Sequence, residues 1–244
     1  MKLKNKVVFI TGGSSGIGLA IAKMMADLGS TVVICGRSEK RLAAAKTAVP
    51  TLHTLSCDIT NDADQAAALA EIEQRYGRLD ILINNAGMQH NYRLPQESDI
   101  AARVAQEVTL NVTALITLTH RALPLLQKSS AAAIVNVGSG TGLMPKLDGL
   151  VYSATKAAVH NFTIGLRWQL ATQNIHVVEL FPPVVDTAMT AGRDEDKVSP
   201  DAVAQALLTG LQQNRKEIFI GKMKALPWLV RFAPGIAASI MQKS

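Results

Sequence analysis

Short apolar, β-branched runs alternate along this chain with longer segments whose apolar residues recur at helical spacing. The runs cover residues 7–10, 31–35, 51–56, 81–83, 133–137, 175–180 and 217–220. Between them the spacing predicts helices over 17–28, 42–49, 63–76, 104–126, 156–171 and 200–212. Strands that are apolar at successive positions, as in Val-Val-Phe-Ile and Val-Val-Ile, are covered on both faces, which is the pattern of parallel strands joined by helices. The expectation is an α/β fold: a Rossmann-type, doubly wound sheet of seven parallel strands with helices on both faces.

Composition narrows this further. At 244 residues and 48% hydrophobic content, the chain suits one α/β domain over 1–244 with one large core, and it shows no internal repeat or low-complexity tract. Residues 1–6 lead into the first strand without an h-region or cleavage site, so a cytoplasmic protein is expected. Cys35 and Cys57 end separate strand-like runs and have no metal- or redox-motif neighbours. They read as reduced core thiols, and no metal site is expected. The formal charge of +6 is scattered and lacks interleaved aromatics, so no nucleic-acid partner is expected.

The first strand runs into Thr11-Gly12-Gly13-Ser14-Ser15-Gly16-Ile17-Gly18 and then at once into a helix. Gly12 suits a tight turn, Gly16 lets the backbone approach a pyrophosphate, and Gly18 lets the helix pack close to the sheet. The free N–H groups and dipole of that helix favour the anion. Asn84-Asn85-Ala86-Gly87 follows the fourth strand, Asn111 falls in a long helical segment, and Ser139 follows the fifth strand. Tyr152 and Lys156 come thirteen and seventeen residues after that serine. One helical turn separates Tyr152 from Lys156, so both side chains project from the same face.

The glycine spacing, with three residues between Gly12 and Gly16, together with the other motifs in this order, resembles the short-chain dehydrogenase/reductase family over roughly residues 4–221. The glycine motif, the segment after strand four and the C-terminal tail resemble its DltE-like branch. The resemblance implies an NADP(H)-dependent oxidoreductase that moves a hydride between the nicotinamide and an alcohol or carbonyl substrate. Tyr152 is then the acid/base, its hydroxyl drawn toward working pH by the Lys156 ammonium. Ser139 stabilises charge on the carbonyl oxygen, Lys156 also holds the nicotinamide ribose, and Asn111 holds a water behind the lysine. The implied cofactor contacts are Gly12, Ser14, Ser15, Gly16, Ile17 and Gly18 for the phosphates; Asp58 and Ile59 for the adenine; and Asn85, Ala86 and Gly87 after strand four. Pro182, Val185 and Thr187 are expected to hold the carboxamide. Pro183 stands where the family usually has glycine, which fixes φ and removes an N–H. Asp58 is also open to reading as a helix N-terminal residue.

Cofactor choice is read at Cys35-Gly36-Arg37. NAD enzymes place an acid here for the ribose 2′-hydroxyl; Gly36 removes it, and Arg37 offers a planar fork to a 2′-phosphate. NADP is favoured over NAD, by about a hundredfold if two charge-assisted bonds form.

Segments 140–151, 89–98 and 188–199 are expected to enclose substrate, the last as a lid, with Leu143, Met144, Leu147, Leu150 and Met189 lining a partly apolar pocket. The tail, 222–244, is too interrupted to span a bilayer. It is expected to cover the cleft, pack on a partner subunit or rest on a membrane surface. The substrate itself is not legible. The family's dimer faces correspond to 104–126 and 156–171, so a homodimer or homotetramer is expected. The competing function is a catalytically silent NADP-binding regulator, against which intact Ser139, Tyr152 and Lys156 argue.

Overall fold

The computed structural model describes residues 1–192 and 196–242. Seven parallel strands form one sheet: β1 (Val7–Thr11), β2 (Thr31–Gly36), β3 (His53–Ser56), β4 (Ile81–Asn84), β5 (Ala132–Val137), β6 (Ile175–Phe181) and β7 (Glu217–Phe219). Their spatial order is β3-β2-β1-β4-β5-β6-β7. The chain winds outward from β1 in one direction, then returns to start the other half at β4. The crevice between the carboxyl ends of β1 and β4 is where such sheets hold ligands.

The helices are α1 (Gly16–Asp27), α2 (Glu39–Ala48), α3 (Asp62–Tyr76), α4 (Ala101–Val108), α5 (Ala114–Gln127), α6 (Leu150–Gln169), α7 (Pro200–Gln212), α8 (Leu226–Phe232) and α9 (Pro234–Met241). Alternate strand residues feed two cores. Val8, Ile10, Ile81, Ile83, Val135 and Val178 pack under α1, α2 and α7. Phe9, Val33, Leu82, Ile134 and Val177 pack under α3, α5 and α6.

Of the boundaries that differ from the periodicity, two bear on the site. The helix expected over 104–126 begins at Ala101 and is interrupted by a π turn over Thr109–Thr113, a wide turn of the kind that recurs at functional sites. Helix α6 begins at Leu150, ahead of the tyrosine rather than at Lys156, with Gly149 at its N-cap. The alternative reading of Asp58 is settled locally. Asn61 caps α3, its Oδ1 accepting from Ala63 N at 2.8 Å and Asp64 N at 3.2 Å, so Asp58 is not the helix cap.

Candidate active site

The site is assembled at the β1/β4 crevice by one threonine. Thr11, the last residue of β1, is buried, and its Oγ1 accepts from the backbone N–H groups of both Asn85 and Ala86 at 3.0 Å. Asn85 answers through its side chain, Nδ2 donating to the Thr11 carbonyl at 2.9 Å and the Gly12 carbonyl at 3.1 Å. The glycine turn and the loop after β4 are thereby fastened to each other. A methyl group at Gly18 would lie 2.5 Å from the Gly12 carbonyl oxygen and 2.6 Å from Asn85 Nδ2, so only glycine admits this closeness. Gly12 and Gly16 have φ of +64° and +53°, backbone angles that L side chains rarely adopt. Ser15 precedes α1 but makes no side-chain cap bond, which leaves the first N–H groups of that helix for an anion.

A cleft of about 520 Å³ opens above these loops. Every residue singled out above as catalytic or cofactor-binding lines it except Gly18 and Asn111, which stand behind its wall. A nicotinamide dinucleotide fits this arrangement on chemical grounds. Uncapped helix N–H groups and a positive-φ glycine turn lie in the middle, Arg37 and Asp58 at one end, and Ser139, Tyr152 and Lys156 at the other.

At that second end, Lys156 and Tyr152 share one face of α6, with Lys156 Nζ 5.6 Å from the tyrosine ring centroid. Lys156 is buried and donates to the Val137 carbonyl at 2.7 Å. Burial pushes its pKa down from 10.5 to about 8, against the opposing pull of the Glu179 carboxylate. Ser139 Oγ accepts from Thr141 N at 3.2 Å and the Thr141 hydroxyl at 2.9 Å. Asn111 sits in the π turn and grips the backbone after β4. Met88 N–H donates to its Oδ1 at 2.9 Å, and its Nδ2 donates to the Met88 carbonyl at 2.9 Å and to Thr155 Oγ1 at 3.1 Å. A methyl at Gly87 would meet Asn111 Oδ1 at 3.3 Å and Lys156 Nζ at 3.9 Å, which places the asparagine and the lysine around the same glycine.

At the opposite end, the Arg37 side chain is 70% exposed, with Nη1 3.9 Å from Asp58 Oδ2. Burial raises the Asp58 carboxyl, but the Thr60 backbone and hydroxyl bonds and the Arg37 charge outweigh it and hold it below its usual value. Cys35 and Cys57 are free, buried and line the cleft; their mutual hydrogen bond and burial push the Cys35 thiol up.

The loop after β6 closes over the glycine turn, where a methyl at Gly16 would touch Thr187 Cγ2 at 3.0 Å. Val185 is buried, and the strand-like pairing of Val185 with Val198 brings the far end of the expected lid back to its start. Ala188–Thr190 forms one turn; residues 193–195, the middle of that segment, lie outside the described residues.

The substrate-pocket expectation needs correction. Of the five apolar residues proposed for it, only Met189 lines the cleft. Leu147 and Leu150 are 49% and 45% exposed and lie outside it. Sequence reasoning gave Thr11 no role; Gln89 and Lys146, in segments expected to enclose substrate, and Met223, Ile240 and Met241, in the tail, line the cleft. Met223 and Leu226 lie so close to Gly140 that a methyl there would be 2.7 Å and 2.8 Å from them. No local motif signals this, since the contact joins segments some eighty residues apart.

A second hollow, about 590 Å³ and shallower, lies on the outer face of α5 around Ile116, His120 and Leu123, and contains none of the motif residues. Among the described residues no helix is long and apolar enough to cross a membrane, and no His/Cys/Asp/Glu group is arranged to hold a metal ion.

Comparison with known proteins agrees with this architecture. The family model described as short chain dehydrogenase matches residues 6–198. A Bacillus subtilis (strain 168) protein described as "Uncharacterized oxidoreductase DltE" is 38% identical over 233 residues, covering 93% of this chain and 92% of the relative. The short-chain dehydrogenase from Sphingobium yanoikuyae, solved in complex with NADPH, superposes with a TM-score of 0.82 at 30% identity, over 98% of this chain and 97% of that one. The 3-ketoacyl-(acyl-carrier-protein) reductase from Brucella melitensis, complexed with NADH, has a TM-score of 0.82 at 27% identity, over 88% and 96%. With its parallel sheet, its glycine turn and the Ser139, Tyr152 and Lys156 cluster in one cleft, this chain belongs to the short-chain dehydrogenase/reductase family, as a DltE-like oxidoreductase.

Proposed function

We propose that this protein is an NADP(H)-preferring oxidoreductase acting on a small-molecule alcohol or carbonyl, with Tyr152 as its acid/base. The observation that carries the proposal is the meeting of Ser139, Tyr152 and Lys156 at one end of a cleft whose other end presents Arg37. The bound nicotinamide supplies or accepts the hydride. Tyr152 gives the substrate oxygen a proton in reduction and takes one in oxidation, and the neighbouring Lys156 ammonium favours its phenolate. Ser139 already accepts two bonds from Thr141, so its own O–H is left to donate to the substrate oxygen as charge develops there. Asn111 orders the Met88 backbone and Thr155 beneath Lys156.

Gly12, Ser14, Ser15, Gly16 and Ile17 are assigned to the pyrophosphate, with Gly18 keeping the turn closed. Asp58 and Ile59 take the adenine; Asn85, Ala86 and Gly87 border the nicotinamide half; Pro182, Val185 and Thr187 take the carboxamide. The NADP preference rests on Gly36 and Arg37, since solved relatives include both an NADPH and an NADH complex. In this reading the chain works as one domain in the cytoplasm, with 188–199 as lid and 222–244 as a cleft wall. It forms a homodimer or homotetramer through α4–α5 and α6, where the hollow around Ile116 and Leu123 offers an apolar face.

The test is a screen of aldehydes, ketones and alcohols against NADPH, NADH and their oxidised forms, followed at the absorbance of reduced nicotinamide. Turnover with NADPH exceeding that with NADH is expected. Tight NADPH binding with no turnover on any substrate would instead favour the silent regulator.

A further inference from the structure

Three adjacent strands carry polar side chains where the core calls for apolar ones. Asn84 on β4, Asn136 on β5 and Glu179 on β6 are register partners across the sheet, and all three are buried. Helices α5 and α6 answer each of them. Asn84 Nδ2 donates to Thr119 Oγ1 and Asn136 Oδ1 at 2.9 Å, and Asn136 Nδ2 donates to Thr163 Oγ1 at 2.9 Å. His160 Nδ1 lies 2.8 Å from Glu179 Oε2.

Glu179 is the member of this row that carries charge. It is fully buried, and its Oε1 has no hydrogen-bond partner, an arrangement that is costly unless a nearby cation balances it. That oxygen points at the turn after β5: a methyl at Gly138 would stand 2.5 Å from it. The preceding residue, Val137, provides the carbonyl on which Lys156 Nζ rests. His160 is one helical turn beyond Lys156 on α6, so the imidazole that holds Glu179 and the ammonium beside Tyr152 descend from the same helix face.

We propose that Glu179, held in place by His160, is a positioning residue: the buried counter-charge that keeps Lys156 an ammonium and seated on the Val137 carbonyl beside Tyr152. The proposal rests on the reading of Tyr152 and Lys156 as the working pair.

The electrostatics run the same way. Burial lowers the Lys156 pKa, and the Glu179 charge opposes it. Burial raises the Glu179 carboxyl, while the bond to His160 restrains it. The other charged groups acting on Glu179 and His160 are Arg167 on α6 and Glu217 on β7. The bond to Glu179 raises the His160 pKa above 6.5. Below that pKa the imidazolium neutralises the carboxylate. Above it His160 is neutral, and the charge of Glu179 is left to act on Lys156.

A purely structural Glu179 would pin β6 to α6 without touching the titration of Lys156, and this difference can be measured. Glu179→Gln keeps the size and hydrogen-bonding capacity of the side chain and removes its charge. Labelling of cofactor-free enzyme with acetic anhydride across pH, with the Lys156 peptide read by mass spectrometry, gives the midpoint for deprotonation of Lys156. The midpoint is expected to fall by about 1 pH unit in Glu179→Gln, and the alkaline limb of kcat/KM to move down with it. Glu179→Asp, which retains the charge one methylene further back, should fall in between; if the Gln variant does not fold, the Asp variant decides. An unmoved labelling midpoint overturns the proposal, as does a shifted midpoint with an unchanged pH–rate profile. Labelling requires no turnover, so an enzyme inactive on every carbonyl would sink the catalytic reading while leaving this test intact.

Discussion

Lys156 Nζ donates to the Val137 carbonyl at 2.7 Å, which ties the middle of α6 to the end of β5 and sets the ammonium 5.6 Å from the Tyr152 ring centroid. An ammonium held by backbone cannot swing away from the phenol. It is also stripped of most of its water, which lowers its pKa to about 8. Position and protonation of this one group therefore govern how the site responds to substitution and to pH.

Replacing Tyr152 with Phe removes the ionisable hydroxyl and keeps the ring. Turnover should fall by at least about a thousandfold, the scale of a lost general acid, while NADPH affinity by fluorescence titration stays within a few-fold. Lys156→Ala should weaken both, because the lysine is assigned to ribose and phenol together. Appreciable turnover by purified Tyr152→Phe would remove the tyrosine from the mechanism.

The pH dependence follows from the sign of the lysine shift. Burial favours the neutral amine, and the proposed mechanism uses the ammonium, so activity is present below the folded-state pKa and lost as pH rises through it. For carbonyl reduction, kcat/KM should be level near neutrality and decline above about pH 8. A profile flat to pH 10 would show that the charge of Lys156 is not needed.

Arg37 sets the cofactor prediction. Its side chain is 70% exposed and faces Asp58 at 3.9 Å, so solvent screening cuts the sequence-based expectation of a hundredfold NADPH preference to about tenfold. Arg37→Ala should raise the NADPH Michaelis constant by about that factor and leave the NADH value nearly unchanged. Added salt should narrow the wild-type preference. Equal use of both cofactors by the wild type would contradict the reading of Gly36 and Arg37.

Two glycine-to-alanine changes separate close approach from flexibility. Gly18→Ala places a methyl 2.5 Å from the Gly12 carbonyl oxygen and should push apart the phosphate turn and Asn85, lowering Tm and weakening NADPH binding tenfold or more. Gly165, inside α6, has nothing within 4 Å of its added methyl, so Gly165→Ala should stabilise the protein by about 0.5–1 kcal/mol. Calorimetry of both variants checks the pair, and a Gly18→Ala protein that melts and binds like the wild type would refute the packing argument.

Most of the elements and of the cleft-lining residues were legible in local sequence, although the tail helices α8 and α9 were not. Apolar periodicity, helix spacing and glycine turns are properties of neighbouring residues, so seven strands, the β1–α1 glycine turn and the one-turn spacing of Tyr152 and Lys156 were legible without tertiary information. The tertiary structure decided everything that depends on register between distant segments. The string Ile-Val-Asn-Val reads as an apolar strand, yet only sheet pairing aligns Asn136 with Asn84 and Glu179 and turns that row toward α5 and α6. The helical pattern over 104–126 carries no sign of the π turn that holds Asn111, or of its side-chain bonds to Met88 in the loop after β4. That Met223, Ile240 and Met241 of the tail line the cleft while Leu143, Met144, Leu147 and Leu150 do not is decided in the same way, by contacts between segments far apart in the chain. A hydrophobic residue's type says that it seeks burial, and only the packed fold says against what.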